Sequence, residues 1–542
     1  MPTPDADVYE GSLHREAERG AKTIANKVPG GRPDEIAVVP KHLPFVKYRG
    51  KDGAKDIADE QKLASYDFHK AGPAESGVIA ILPKRSSTSA AVEVFEIPAG
   101  TTRPPQLTAS YCASVEKTGK CVAKFKQTDN KFTTTSTASI LGYYHVARAL
   151  GDICEIKPAV LRTMDIVEHK KIVLLATELG VRGTIAKSWA LFNQYYANPK
   201  SSGVAGALFT SDFTQIYGAL LENTTGEEPY TEWLRAGTNL SSTSAFHHMA
   251  DARPAAAIVG SRAFTQANLQ TLVAMRDMSE MILLDYLLAQ SDRLTGGNIS
   301  DYPFAYYLDG GKVKSTKASK LGDIPAGTPH FVVKKLTLKD TDAGLLNSNV
   351  FEKNGCLPQI RHLHPRTYAG LQTLAQQWQD DPAVRQFFHR ECTFTKSQLV
   401  RFEKYLLSAA TTLRTRQEAG TLHLDLDLDD FFQGATPPPP APPPATVQIS
   451  ASVGRWEKGA ANLVADVKTV QRLLTAAAQT AHAAPLDPKG VDGKISRPPR
   501  QSDTIAAIEA FETFSQILVA GLIAPASPAW QALLVAAGEV PT

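Results

Sequence analysis

The stretch MILLDYLLAQSDRLTGGN, Met281 to Asn298, carries the most information in the chain, and YYLDGG, Tyr306 to Gly311, follows it closely. The first half is an apolar run with helical spacing. The second half is polar, with a carboxylate at Asp292, an amide at Asn298 and a glycine pair between them. This pattern predicts a helix ending in a loop, then a short apolar strand that delivers a second carboxylate, Asp309, at a glycine turn. Two carboxylates and an amide oxygen placed in this way suit phosphoryl transfer from a nucleotide. One carboxylate orients or deprotonates an acceptor hydroxyl, while the other oxygens hold magnesium on the phosphates.

Such chemistry also needs a strand-borne lysine that reaches the phosphates, and CVAKFK, Cys121 to Lys126, offers Lys124 between apolar neighbours. Around it, Val78–Leu82, Ala91–Ile97, Leu107–Val115 and Cys121–Lys126 read as strands, the last two joined by a turn over Glu116 to Lys120. Ala138 to Gly151 reads as a helix stopped by glycine. From Met164 to Leu407 helical patterns dominate, notably Leu269 to Gln290 and Arg366 to Trp378. The expected class is α+β, with a small β-rich lobe followed by a larger helical one. No acidic residue lies between Ala138 and Gly151 to pair with the lysine, leaving Glu116 or Glu178 as substitutes.

At this point the sequence resembles the atypical kinases, a group that includes type II phosphatidylinositol 4-kinases, HipA-type bacterial serine kinases and the secretory-pathway casein kinases. The segment Asp285 to Arg293 is similar to their catalytic loop, Val122 to Phe125 to the HipA-type lysine strand, and Leu308 to Gly311 to their metal-binding turn. The resemblance implies a two-lobed, protein-kinase-like body that uses ATP and Mg2+. It implies Asp292 as the catalytic aspartate, Lys124 as the nucleotide-binding lysine, and Asn298 and Asp309 as metal ligands. Taken singly, an Asp-Arg pair is a surface turn, an Asp-Gly-Gly a hairpin and Lys124 a solvated strand lysine; their order along the chain joins them.

Composition sets the outer bounds. The 542 residues suffice for several domains, and 43% hydrophobic with 21% charged residues is globular usage. A net charge of +3 gives no electrostatic reason to expect a nucleic-acid partner. Five widely spaced cysteines without a CxxC pair read as free thiols. Met1 to Lys27 lacks the apolar core of a secretory signal, and the uncharged stretch Thr513 to Gly538 is interrupted by prolines and glutamines, so no transmembrane segment is expected. His247-His248 and His362-Leu-His364 lack a carboxylate partner at helical spacing and are weak metal candidates.

Pro437 to Pro444, seven prolines in eight residues, punctuates the chain after the acidic run Asp425 to Asp430. Beyond it, the helix Asp466 to Leu474, the turn Val491-Asp492-Gly493, the helix Thr504 to Phe511 and the terminal segment Gly521 to Leu534 resemble a three-helix peptidoglycan-binding domain. Glu512 stands where that family commonly has glutamine. The expected organisation is an N-terminal extension over 1–75, a β-rich lobe with its following helix over 76–163, a helical lobe with an insertion over 164–424, a linker over 425–446 and an all-α three-helix domain over 447–542.

These readings combine into an ATP- and magnesium-dependent phosphotransferase acting on a protein or small-molecule acceptor, tethered to a peptidoglycan-binding module. The wall-directed module without an export signal suggests a bacterial effector or toxin, made in the cytoplasm and exported on contact to act in a target cell or at its envelope. Two other classes fit the same features. One is a pseudokinase adaptor that binds cell wall and a partner protein, and the other is a peptidoglycan hydrolase.

Overall fold

The computed structural model describes residues 22–69, 78–86, 89–98, 107–128, 135–201, 208–210, 212–223, 228–229, 240–294, 299–434, 447–481, 483–496, 502–515 and 517–539. The chain divides into two compact units, Met1–Pro437 and Pro438–Thr542. The proline run lies outside the described residues.

The first unit is α+β, with a β-rich N-terminal sheet and a largely helical remainder, the class expected from the sequence. Seven strands form the sheet: β1 (Lys22–Asn26), β2 (Glu35–Val39), β3 (Val78–Pro83), β4 (Val92–Ile97), β5 (Lys120–Gln127), β6 (Ala159–Asp165) and β7 (Gln215–Glu222). Their spatial order is β1-β2-β6-β7-β5-β4-β3, and every neighbouring pair is antiparallel. Residues read as an extension thus supply β1 and β2, and residues assigned to the helical lobe supply β7. Side chains alternate across a strand, so Ala123 and Phe125 of β5 enter one core while Lys124 and Lys126 face the opposite side. Phe125 lies flat over β7, where a Cβ on Gly218 would meet its ring at 2.4 Å. Only glycine fits beneath it.

Five helices flank the sheet: α1 (Ala54–Ala64), α2 (Ala109–Thr118), α3 (Thr137–Ala149), α4 (Ile166–Glu178) and α5 (Thr184–Ala197). Helix α2 corrects the strand expected over Leu107 to Val115. Leu107, Tyr111, Cys112 and Val115 recur at helical spacing, and the Thr108 side chain caps the first turn by accepting the Tyr111 N–H. Helix α3 matches the expected helix within two residues at each end and is buried along nearly its whole length.

In the helical remainder, α6 (Gln266–Leu287) runs through the core, capped by Thr265 and ending where Ala289 turns left-handed at φ 47°. Helices α7 (Pro365–Asp380), α8 (Pro382–Arg390) and α9 (Lys396–Glu418) pack beside it. A second antiparallel sheet combines β8 (Glu228–Pro229), which precedes α6, with β9 (Ile299–Asp309), β10 (Lys312–Lys317) and β11 (His330–Leu338), which follow it; β10 and β11 lie on either side of β9.

The acidic run belongs to the body and not to a linker, because it alternates with apolar residues that bury. Leu426, Leu428, Phe431 and Phe432 enter a core with Phe264 and Leu272, while Asp425 bonds His362 Nδ1 at 2.9 Å. His362 also meets the Asp251 carbonyl through Nε2, so both ring nitrogens are occupied structurally.

The second unit packs α10 (Val464–Ala481), α11 (Asp503–Phe514) and α12 (Pro528–Ala536) with a two-stranded ladder, β12 (Val453–Gly454) and β13 (Leu522–Ile523). The motif residues read from sequence are structural here. Gln471 donates to Asp492 and Thr504 and accepts the Gly493 N–H, and the Glu512 carboxylate accepts the N–H groups of Ala520, Gly521 and Leu522. Among the described residues, no helix is long and apolar enough to cross a membrane.

Segment 22–69 is fastened to α3 by charge. Arg148, fully buried, donates from Nε and Nη2 to both oxygens of the buried Asp56 at 2.8 and 3.2 Å, and from Nη1 to Asp152 at 2.7 Å. Removing one partner of a buried pair strands the other, at a cost of about 3–5 kcal/mol. Replacing Arg148 by Met should therefore lower the thermal unfolding midpoint of the first unit markedly, measured by calorimetry. A change within about 1 kcal/mol, the scale of an exposed pair, would show that this contact is not a fastening.

Candidate active site

The sheet face carrying Lys124 and Lys126 opens on a cavity of about 300 Å³. Its lining includes Lys84 and Ser86 after β3, Ile140 of α3, Glu222 of β7, and Leu338, Lys339, Asp340 and Thr341 at the end of β11. Lys126 lies at its base, 4% exposed, with its ammonium 2.9 Å from Asp340 Oδ1 and 3.0 Å from Asp342 Oδ2. Burial alone would lower the Lys126 pKa, but the two carboxylates outweigh it and hold the ammonium above the ordinary lysine range. In return, Lys126 holds Asp340 well below the usual carboxylate range, with Lys84 and Arg293 acting in the same direction.

The segment after β11 is held from several sides. Arg293 Nη2 donates to the Lys339 carbonyl at 2.8 Å and the Gln290 amide to the Asp340 carbonyl at 3.3 Å. The Ser139 hydroxyl donates to the Thr341 carbonyl, and the Ser136 N–H to the Asp342 carbonyl at 2.9 Å. Four consecutive carbonyls are thus bonded to the start of α3 or to the loop after α6. Asp340 itself sits at φ 44°, and a Cβ on Gly344 would come within 2.5 Å of Ser139 Oγ, so this segment and α3 meet with no space between them.

Asp292 is exposed in the loop after α6, where its Oδ1 accepts the Ser291 hydroxyl at 2.9 Å. The side-chain oxygen of Gln290 accepts the Asp292 N–H at 3.4 Å while the amide of the same side chain bonds the Asp340 carbonyl, so one buried glutamine joins the two loops. Arg293 is fully buried beside Asp285, 3.6 Å away, and Asp285 accepts the Tyr143 hydroxyl of α3 at 2.6 Å.

The sequence-derived candidates lie apart in the fold. Lys124 lines the cavity, 3.9 Å from Glu93 of β4, its cross-strand neighbour. Asn298 lies outside the described residues. Asp309 is exposed at the tip of the β9–β10 hairpin, paired in register with Lys312 across Gly310 and Gly311, both at positive φ, and is not among the cavity-lining residues. Glu116 is engaged by Arg85, and Glu178 is exposed at the end of α4. Among the described residues no group of three or more His, Cys, Asp or Glu is arranged to hold a metal, and the five cysteines are free thiols.

Sequence reading passed over Lys126, Lys84, Asp340 and Asp342. Lys124 and Lys126 share a strand face, so alternation cannot choose between them. The pair Asp340 and Asp342 did carry a signal, since β11 ends in Leu336-Thr337-Leu338 and two carboxylates follow within four residues.

No family model matches the chain, and no curated protein matches it. Among solved structures the chain is similar to the Golgi casein kinase, with 10% identity and a TM-score of 0.33 over 69% of this chain and 80% of that one. It is also similar to the Golgi casein kinase with Mn/ADP bound, with 10% identity and a TM-score of 0.32 over the same shares. Scores this low carry no inference to this chain.

Burial pushes the Lys84 pKa down to about 8, and the nearby Lys126 and Lys124 ammoniums act in the same direction against Asp340 and Asp342. Lys84 is then about nine-tenths charged at pH 7 and about one-tenth at pH 9, so the anion affinity of the cavity should fall across that interval. At pH 8 Lys84 should react with an amine-directed acylating reagent faster than exposed lysines, read by peptide mass spectrometry, and inorganic triphosphate should protect it. Labelling at the rate of an exposed lysine would contradict this electrostatic reading.

Proposed function

We propose that the first unit is a kinase-like phosphotransferase that binds ATP with a divalent cation in the cavity between the seven-stranded sheet and the Leu338–Thr341 segment. One observation carries this reading: the buried Lys126 and Asp342 and the partly exposed Asp340 form an ion cluster at a cavity that Lys84 and Lys124 also line. The donor set fits the implied group. Hard carboxylate oxygens suit Mg2+ or Mn2+, and clustered ammoniums, one with its pKa lowered, suit a polyphosphate. Held by Asp340 and Asp342, a divalent cation would supply positive charge against the phosphates.

In this reading Asp340 and Asp342 hold the cation, and Lys126, Lys84 and Lys124 receive the phosphates. Asp292 orients the acceptor hydroxyl from the neighbouring loop, and Asn298, six residues further along the sequence, is the expected amide ligand. Asp309 is left out of the ligand set because a hairpin tip away from the lysines gives it no phosphate to share. The second unit is proposed to bind peptidoglycan, supported by its sequence resemblance and its three-helix build.

A nucleotide-binding adaptor without turnover is the second reading, favoured by the lack of a helix carboxylate facing the lysine strand. Phosphate release or acceptor labelling from ATP separates the two. Asp340→Asn and Asp292→Asn should each lower turnover on the order of 10³-fold, while Asp309→Asn leaves it within about twofold. Loss of turnover in Asp309→Asn with Asp340→Asn active would return the metal site to the hairpin. Nucleotide-dependent stabilisation without turnover would favour the adaptor; a ligand at 100 times its dissociation constant adds about 2.7 kcal/mol.

A further inference from the structure

The buried ammonium between Asp340 and Asp342 stands where the phosphotransfer reading needs a divalent cation. The two carboxylates are presented to Lys126 at 2.9 and 3.0 Å, and Asp342 also accepts the Thr135 hydroxyl on the same oxygen at 3.3 Å. A cation bridging these two oxygens, Asp340 Oδ1 and Asp342 Oδ2, would take the position that the ammonium now holds. A lysine and a divalent cation cannot share that volume, because like charges at contact distance in a desolvated site repel strongly.

Which partner moves follows from the bonding. The carboxylate segment is fixed, since the carbonyls of Lys339, Asp340, Thr341 and Asp342 are bonded to Arg293, Gln290, Ser139 and Ser136. Lys126 has a flexible four-carbon stem and three donors that rotate freely. Its other direction leads into the cavity that holds Lys84 and Lys124, where an additional ammonium is unfavourable until an anion arrives.

We infer that Lys126 is a resident surrogate for the metal: in the nucleotide-free protein its ammonium fills the cation position between Asp340 and Asp342, so a divalent cation enters only together with a polyphosphate that draws the lysine away. Lys126 is then a gate for the metal as well as a phosphate ligand. This rests on the phosphotransfer reading and adds an order of events to it. The structural basis is also distinct from a lysine anchored by a helix carboxylate, because an anchored lysine would leave the aspartates open to metal at all times.

Mn2+ binding to the full chain, followed by electron paramagnetic resonance of the free ion and by thermal unfolding, tests the inference without any turnover measurement. Wild-type protein should bind Mn2+ alone weakly and show no thermal shift, and should gain a shift when ADP is added. Lys126→Met should bind Mn2+ alone about tenfold tighter or more than wild type, and adding Asp340→Asn should remove the gain. Equal Mn2+ affinity in Lys126→Met and wild type overturns the inference. Where Lys126→Met does not fold, wild type still decides. A thermal shift with Mn2+ alone that Asp340→Asn abolishes overturns the gate, and a shift that requires ADP supports it. Failure of wild type to bind ADP with or without Mn2+ overturns the phosphotransfer reading and the gate together, whereas ADP binding with no gain in Lys126→Met removes the gate alone.

Discussion

A buried ammonium must be paired, and the first unit is arranged around the pairing of Lys126 with Asp340 and Asp342. An unpaired lysine at 4% exposure would lose its proton or open the structure to water. Holding two carboxylates against it requires the segment after β11 to approach β5, and that approach fixes where α3 and the loop after α6 must lie. Ser136 and Ser139 at the start of α3, and Gln290 and Arg293 after α6, each use a hydrogen bond to hold this segment. The ion cluster therefore adds a polar joint between the sheet and the helical remainder to the apolar core that they share, and the cavity lies beside it.

The same arrangement accounts for a helix that faces a lysine strand without offering a carboxylate. Helix α3 and the two residues before it contribute hydroxyl and N–H donors from Thr135, Ser136 and Ser139, and the negative charge comes from the segment those donors hold. Two carboxylates near a helix N-terminus also sit favourably in its dipole. The far end of α3 is fastened differently, by Arg148 to Asp56 and Asp152, and its middle by Tyr144 to Glu60 and Tyr143 to Asp285. A helix bonded at both ends and buried on nearly all sides serves as a fixed reference for the site, and the residues from 22 onward complete that enclosure.

Local patterns were read well where one physical rule dominated. The apolar run before Gln290 could only be a buried helix, and α6 lies three residues upstream of the expected span at both ends. Alternation made β4 and β5 legible, and the C-terminal helices followed from their apolar spacing. The reading failed where two rules competed. Leu107 to Val115 has residues acceptable to a strand, yet its apolar positions fall at helical intervals and Thr108 supplies a cap. The acidic run before the prolines has the charge of a linker, yet the leucines and phenylalanines between its aspartates are buried in the body.

From the sequence alone came the class of the body, the helix and loop that carry Asp292, the lysine strand, and a separate three-helix unit beyond the prolines. Each depends on residues close together in the chain, whose spacing decides which faces can bury. Only the tertiary structure decided that Lys126 is the buried lysine, that its partners are Asp340 and Asp342, and that Asp309 closes a hairpin elsewhere. Lys126 and Asp340 are 214 residues apart, and no local pattern records which distant carboxylate will neutralise a given lysine. That choice is made by burial, because the pairing becomes obligatory only after the fold has removed water from the lysine.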